Sequence, residues 1–159
     1  MGIQLSQKEQ ELLVLEIVEA CLKYSEESQL EFEEVLHEQV FASNHPYIEF
    51  MEMVCRTAES LNSRGYIAGT VEIVYKTEFD EDTLEESPTD EINFYTTSFE
   101  NIGITAKGRA FMGAETFKGL GKNFMEKATP VIKCIASTAL QEVIETAFRT
   151  ALQAVGFPV

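Results

Sequence analysis

The chain has 159 residues, enough for one domain whose core needs no disulfide. Apolar residues make up 45% and charged residues 25%, a globular balance that excludes a disordered or low-complexity chain. The net charge of −15 is unevenly placed: residues 1–101 carry five Lys and Arg against 23 Asp and Glu, residues 102–159 seven against four. An acidic front of −18 therefore precedes a tail of +3, and such a front repels phosphate backbones and anionic lipid heads.

The first element is a helix. From Leu12 to Tyr24 ten of thirteen positions are apolar, and the exceptions, Glu16, Glu19 and Lys23, fall three and four apart as one narrow polar stripe. A helix so apolar elsewhere is expected to be contacted on several sides. Ser6 and Glu9 have the spacing of a capping box. Glu16 also interrupts the first apolar run, so that run does not read as a signal peptide. Cys21, Cys55 and Cys134 are odd in number, far apart and set in apolar helical patterns, which reads as buried free thiols in a reducing cytoplasm.

A second, shorter helix is expected after a cap at Ser28, with Phe32, Val35, Leu36 and Val40 on its apolar side. Asn44 or His45 then caps a third, with Pro46 in its first turn. In that third helix Tyr47, Phe50, Met51, Val54, Ala58 and Leu61 repeat at helical spacing, and Asn62 to Gly65 signal its end. The period next changes to two. "YIAGTVEIVYKTEF" reads as one strand and "INFYTTSF" as its return, with the charged stretch from Glu78 to Glu91 as a long hairpin tip. That tip carries eight acids (Glu78, Asp80, Glu81, Asp82, Glu85, Glu86, Asp90 and Glu91) and no base.

"NIGITAKGRAFM" follows, and the strand runs directly into a helix. Ile102 and Ile104 alternate around Gly103, Thr105 is placed to cap the helix, and Gly108 implies close approach of another element, so that alanine is expected to be tolerated there better than valine. Gly113, Gly119 and Gly121 loosen the next part of the chain. Pro130 is expected in the first turn of one long last helix with a wide, alanine-rich apolar face. Small residues permit close helix approach, so self-association, as a dimer first, is expected through Ile132, Ala136, Leu140, Val143, Ile144, Ala147, Phe148 and Ala151. Packing of this helix on its own domain, or along a membrane surface, are the alternatives. Lys133, Glu142, Glu145 and Arg149 interrupt the roughly 20 apolar residues that spanning requires.

Three helices, a strand, an acidic hairpin, a returning strand and a capped helix are the element order of a winged helix. "LNSRGYIAG" resembles the third-helix exit of that fold and "ITAKGRAFM" its exit from the wing. Within that fold the chain is most similar to small YjcQ-type proteins of Gram-positive bacteria and their phages. The expected class is thus α+β: a winged helix with a two- to three-stranded wing over residues 6–112, and a C-terminal helical extension for oligomerisation or docking over 113–159.

Groove-reading residues do not carry over from that fold, because the third helix has Glu49, Glu52 and Glu59 against Arg56 alone. No enzyme is expected, since the chain has no nucleophile elbow, Gly-rich phosphate loop, paired-Cys or zinc motif. No cofactor is expected either. Asp80 and Asp82 begin like a calcium loop but lack its glycine and closing spacing, and His37 and His45 have no ligand partners at metal spacing. The function expected is a cytoplasmic regulatory or adaptor protein acting through protein–protein contacts; the acidic wing reads first as a solvated loop, with an interaction surface for a basic partner as its functional alternative. Two alternatives stand beside it. One is an acidic nucleic-acid mimic of the anti-restriction or anti-CRISPR type. The other is a DNA-binding regulator using the basic region Lys107, Arg109, Lys118, Lys122, Lys127 and Lys133.

Overall fold

The computed structural model of the protein describes residues 3–41 and 47–158. In chain order these form α1 (Gln7–Ser28), α2 (Phe32–Gln39), α3 (Ile48–Ser63), β1 (Ile67–Glu72), β2 (Tyr75–Asp80), β3 (Glu85–Ile92), β4 (Ser98–Ile104), α4 (Ala106–Phe111), α5 (Ala114–Gly119), α6 (Phe124–Ile132) and α7 (Thr138–Ala154). The fold is α+β, with two separate two-stranded antiparallel sheets, β1–β4 and β2–β3.

α1 is the axis of the fold. The Ser6 hydroxyl accepts from the Glu9 N–H and the Glu9 carboxylate accepts from the Ser6 N–H at 2.8 Å, so both halves of the capping box form. Leu12, Leu13, Val14 and Leu15 are all fully buried, because α2, α3, β4 and α7 each pack on the helix. The helix continues through Ser28 instead of stopping before it. Glu26 and Glu27 are good helix formers, the Ser28 hydroxyl donates back to the Tyr24 carbonyl, and Gln29 ends the helix in the left-handed region at φ 60°. Ser28 therefore does not cap α2, which starts after Glu31 without a side-chain cap. The caps expected at Asn44 or His45, and Pro46, lie outside the described residues. In α3 the expected apolar positions Phe50, Met51, Val54, Ala58 and Leu61 are buried, together with Met53 and Cys55, while Tyr47 is half-buried.

The expected single hairpin is broken in two. The first strand bends at Ile73 and Val74, and β2 leaves β1 to pair with β3. "INFYTTSF" is not a strand throughout: Asn93 to Thr97 turn, and the acidic stretch expected as a tip is itself largely strand. Thr97 makes the turn. It is buried, its hydroxyl donates to the Asn93 carbonyl and accepts from the Val74 N–H, and its carbonyl meets His37 Nε2 at 3.3 Å. In the β1–β4 pair the register slips between Ala68 and Thr70. Gly69 (φ +95°) lies so close to the Glu100 and Asn101 carbonyls that a Cβ would stand 2.4 Å from an oxygen.

The strand-to-helix step is as expected at β4 and Thr105, whose hydroxyl accepts from the Gly108 N–H at 3.0 Å and lies 2.6 Å from the Gly65 carbonyl to which it donates. At Gly108 a Cβ would sit 2.3 Å from the Tyr66 carbonyl oxygen. Close approach is thus present, and the clash begins at the first side-chain carbon, so that alanine too would force the backbone to shift.

The long last helix is two helices. Pro130 lies inside α6, not at a start, and the chain turns through Lys133 to Ala136 before the Ser137 hydroxyl accepts from the Leu140 N–H to cap α7. The turn is held from outside by the Ala136 N–H donating to the Gln39 carbonyl at 2.8 Å. One hydrophobic core takes residues from both sides of the 112/113 boundary, and α7 packs on α1, α5 and α6. Phe148 meets the rings of Phe117 and Phe124. Ile132, Leu140, Ile144 and Phe148, expected to face a second copy, are therefore buried inside this chain. Of the remaining residues in that set, Ala136 and Val143 are exposed and Ala147 and Ala151 half-buried.

Candidate interaction site on an acidic ribbon

β2 and β3 form a two-stranded ribbon that belongs to no larger sheet. Isolated two-stranded ribbons are marginal in water, and this one is tied at both ends. At its base Tyr75 pairs with Ile92, which is buried, and the Asn93 N–H donates to the Val74 carbonyl at 2.7 Å. Arg56 reaches across from α3, donating to the Asp90 carbonyl at 3.0 Å with its guanidinium 6.0 Å from the centre of the Tyr75 ring. At its tip the Asp80 carboxylate accepts from the Asp82 and Thr83 N–H groups, and the Leu84 N–H closes the turn onto the Asp80 carbonyl.

All eight expected acids, Glu78, Asp80, Glu81, Asp82, Glu85, Glu86, Asp90 and Glu91, are exposed on this ribbon. Strand alternation and register put Glu78, Asp80 and Glu85 on one face, and Phe79 with Glu86 on the other. Among the described residues only Lys76 forms an ion pair with one of them, 3.6 Å from Glu91. The ribbon also shows two large apolar side chains, Phe79 at 57% and Leu84 at 76% exposure, and Leu84 holds φ 58°. A bulky residue in that region is uncommon and costs about 1–2 kcal/mol. Among the described residues, no group of three or more His, Cys, Asp or Glu side chains is placed to hold a metal ion.

The basic region is spread over the body, and its cations, all exposed, are mostly engaged in ion pairs. Lys127 pairs with the buried Glu9 at 2.7 Å, Arg109 with Glu19, Lys133 with Glu145 at 3.5 Å and Lys118 with Glu115 at 3.4 Å. Lys107 donates to the Arg64 carbonyl and lies over the Tyr66 ring. Lys122 is exposed. Two of these contacts clamp α4 and α6 to α1. At Glu9 burial pushes the carboxyl up, but Lys127 and the Ser6 N–H outweigh it and hold the group below its ordinary value. Glu16, on the stripe beside Glu19, is pushed up to about 7 by burial and by the Glu19 charge, against Lys23 and Arg109. Cys21 and Cys55 are buried thiols pushed up to about 12 by burial, whereas Cys134 is half-buried.

Sequence patterning missed two residues that place the ribbon, Arg56, whose role depends on a partner at Asp90, and Thr97, one threonine in a run of polar residues, and a third, Glu33, that acts on the other sheet. Glu33 accepts from the Phe99 N–H at 2.8 Å and covers that point on the outer edge of β4. None of the three carries a local signal. No helix among the described residues is long and apolar enough to cross a membrane. No protein-family model, curated protein or solved structure matches the chain.

Proposed function

We propose that the protein is a non-enzymatic, cytoplasmic regulatory or adaptor module on a winged-helix framework, and that it acts by presenting the β2–β3 ribbon to a basic partner protein. The observation that carries this is the ribbon itself, with eight exposed acids and two exposed apolar side chains on a projection in which no side chain from Lys76 to Glu91 is buried. The winged-helix framework is supported by three helices followed by the β1–β4 pair, whose return enters a threonine-capped helix. The cytoplasmic setting is supported by the buried free thiols Cys21 and Cys55. A DNA contact through α3 is disfavoured, since its one cation, Arg56, holds the base of the ribbon.

The experiment is affinity capture from the native host with the wild type and with a variant whose eight ribbon acids are replaced by Asn or Gln. A basic protein retained by the wild type at physiological salt and released by the variant is the expected result. An identical set of captured proteins would sink the proposal.

A further inference from the structure

The two edges of the ribbon are not equivalent. The Val74 carbonyl accepts from the Asn93 N–H and the Lys76 carbonyl accepts from the Thr89 hydroxyl, so the even-numbered residues of β2 turn their backbone groups toward β3. Backbone groups alternate along a strand, which aims those of Tyr75, Thr77 and Phe79 outward. Between Tyr75 and Thr77 the partner residue advances from Ile92 to Pro88, so the irregularity lies in β3 and β2 stays regular. By the same register Pro88, opposite Thr77, and Glu86, opposite Phe79, are the outward residues of β3. Proline has no N–H, so the β3 edge lacks a donor where another strand would need one. The β2 edge has no such block, and among the described residues no helix or loop donates to or accepts from Thr77 or Phe79. The other sheet is treated differently. Asn62 donates to the Ile67 and Gly69 carbonyls on β1, and Glu33 takes the Phe99 N–H on β4.

We infer that the outer edge of β2 receives an extended segment of the partner protein as a third strand, and that this segment alternates Lys or Arg with apolar residues. The inference rests on the ribbon being the contact surface and names what that surface takes. Strand addition supplies main-chain hydrogen bonds, and the pleat sorts the incoming side chains by face. On one face they meet Glu78 and Asp80, with Glu85 behind, and cations are favoured. On the other they lie beside Thr77 and the exposed Phe79, with Glu86 behind Phe79, and apolar groups are favoured next to the ring. A second copy does not fit, because pairing two β2 edges would set acids against acids.

The probe is a short synthetic peptide alternating lysine and valine, added to the full chain. Two controls accompany it: the same peptide N-methylated at alternate amides, and one with its lysines and valines in separate blocks. The alternating peptide should bind and slow hydrogen exchange at the Thr77 and Phe79 amides. Both controls should bind at least about tenfold more weakly, since each loses several hydrogen bonds or the facial match. Thr77→Pro should weaken the alternating peptide similarly while β2–β3 cross-strand contacts persist by NMR, because an outward N–H is the one a strand can spare. Equal binding of the three peptides overturns strand addition and leaves the acidic contact standing. No binding by any cationic peptide removes both. Protection of Thr77 and Phe79 that rises with protein concentration alone gives the edge to a second copy and also overturns the inference.

Discussion

At Thr105 one hydroxyl does two things. It accepts from the Gly108 N–H and donates to the Gly65 carbonyl, so it starts α4 and ties it to the exit of α3. Thr105→Ala should lower stability by about 0.5–2 kcal/mol, and Thr105→Ser should be nearly silent because both bonds survive. Equal melting temperatures for the two variants would contradict this. Caps of this kind were legible at Ser6 and Thr105 because donor and acceptor lie within one turn of sequence. Glu16 was legible as part of a stripe, but its titration was not, since that depends on what packs over the stripe. Its folded value near 7 lies above the ordinary 4.5. Below about 4.5 the carboxyl is protonated in both states and costs nothing; between about 4.5 and 7 the folded chain binds the extra proton, so stability falls as pH rises; above 7 the loss is constant. Glu16→Gln should therefore be more stable than wild type at pH 8 by about 1–3 kcal/mol and equal to it near pH 4. Denaturant melts at the two pH values test this, and a gap that is no larger at pH 8 would refute it.

Among the elements, α1 and α3 were readable because their buried positions repeat every three to four residues over several turns. Of the ribbon, most of β2 lay within the expected first strand, but β3 did not read as one: Glu, Asp and Pro are poor strand formers, and what makes β3 a strand is its pairing with β2 and the latch from Arg56, neither of which leaves a period in the sequence. The division of the last helix was missed for a related reason. The apolar pattern continues across Lys133 to Ala136, while the bond that holds the turn comes from Gln39, far away in the chain. Half of the expected apolar face, Ile132, Leu140, Ile144 and Phe148, is buried in this chain, and the sequence could not tell that from a contact with a copy, since burial in one's own core and burial against a copy demand the same side chains. Leu140→Ala should cost about 2–5 kcal/mol, as a cavity beneath α7. Val143→Ala, at an exposed position on the same helix, should stay within about 0.5 kcal/mol. Chemical denaturation of both variants is the check, and comparable losses at the two sites would mean that the exposed side of α7 is also covered in solution.

Across the whole molecule, charge is sorted by availability. Lys127 and Arg109 of the C-terminal half pair with acids of α1, whereas the ribbon carries eight exposed acids and one cation, Lys76. The protein should not retard random duplex DNA at physiological salt, and a retarded species that disappears steeply with added salt would mean an open cationic surface exists. The ribbon's mooring has a consequence of another kind. Everything from Lys76 to Glu91 hangs from the paired residues Tyr75 and Ile92, and none of its side chains is buried. Replacing Thr77 to Asp90 with a two-residue Asn-Gly turn should close a short hairpin on Lys76 and Glu91, next to the same two anchors, and leave the melting temperature within a few degrees of wild type. A large fall would show that the ribbon braces the body. If the body stands without it, the arm is an exchangeable part: its sequence is free to drift, lengthen or be swapped for another, and the molecule changes whom it meets without having to solve its folding problem again.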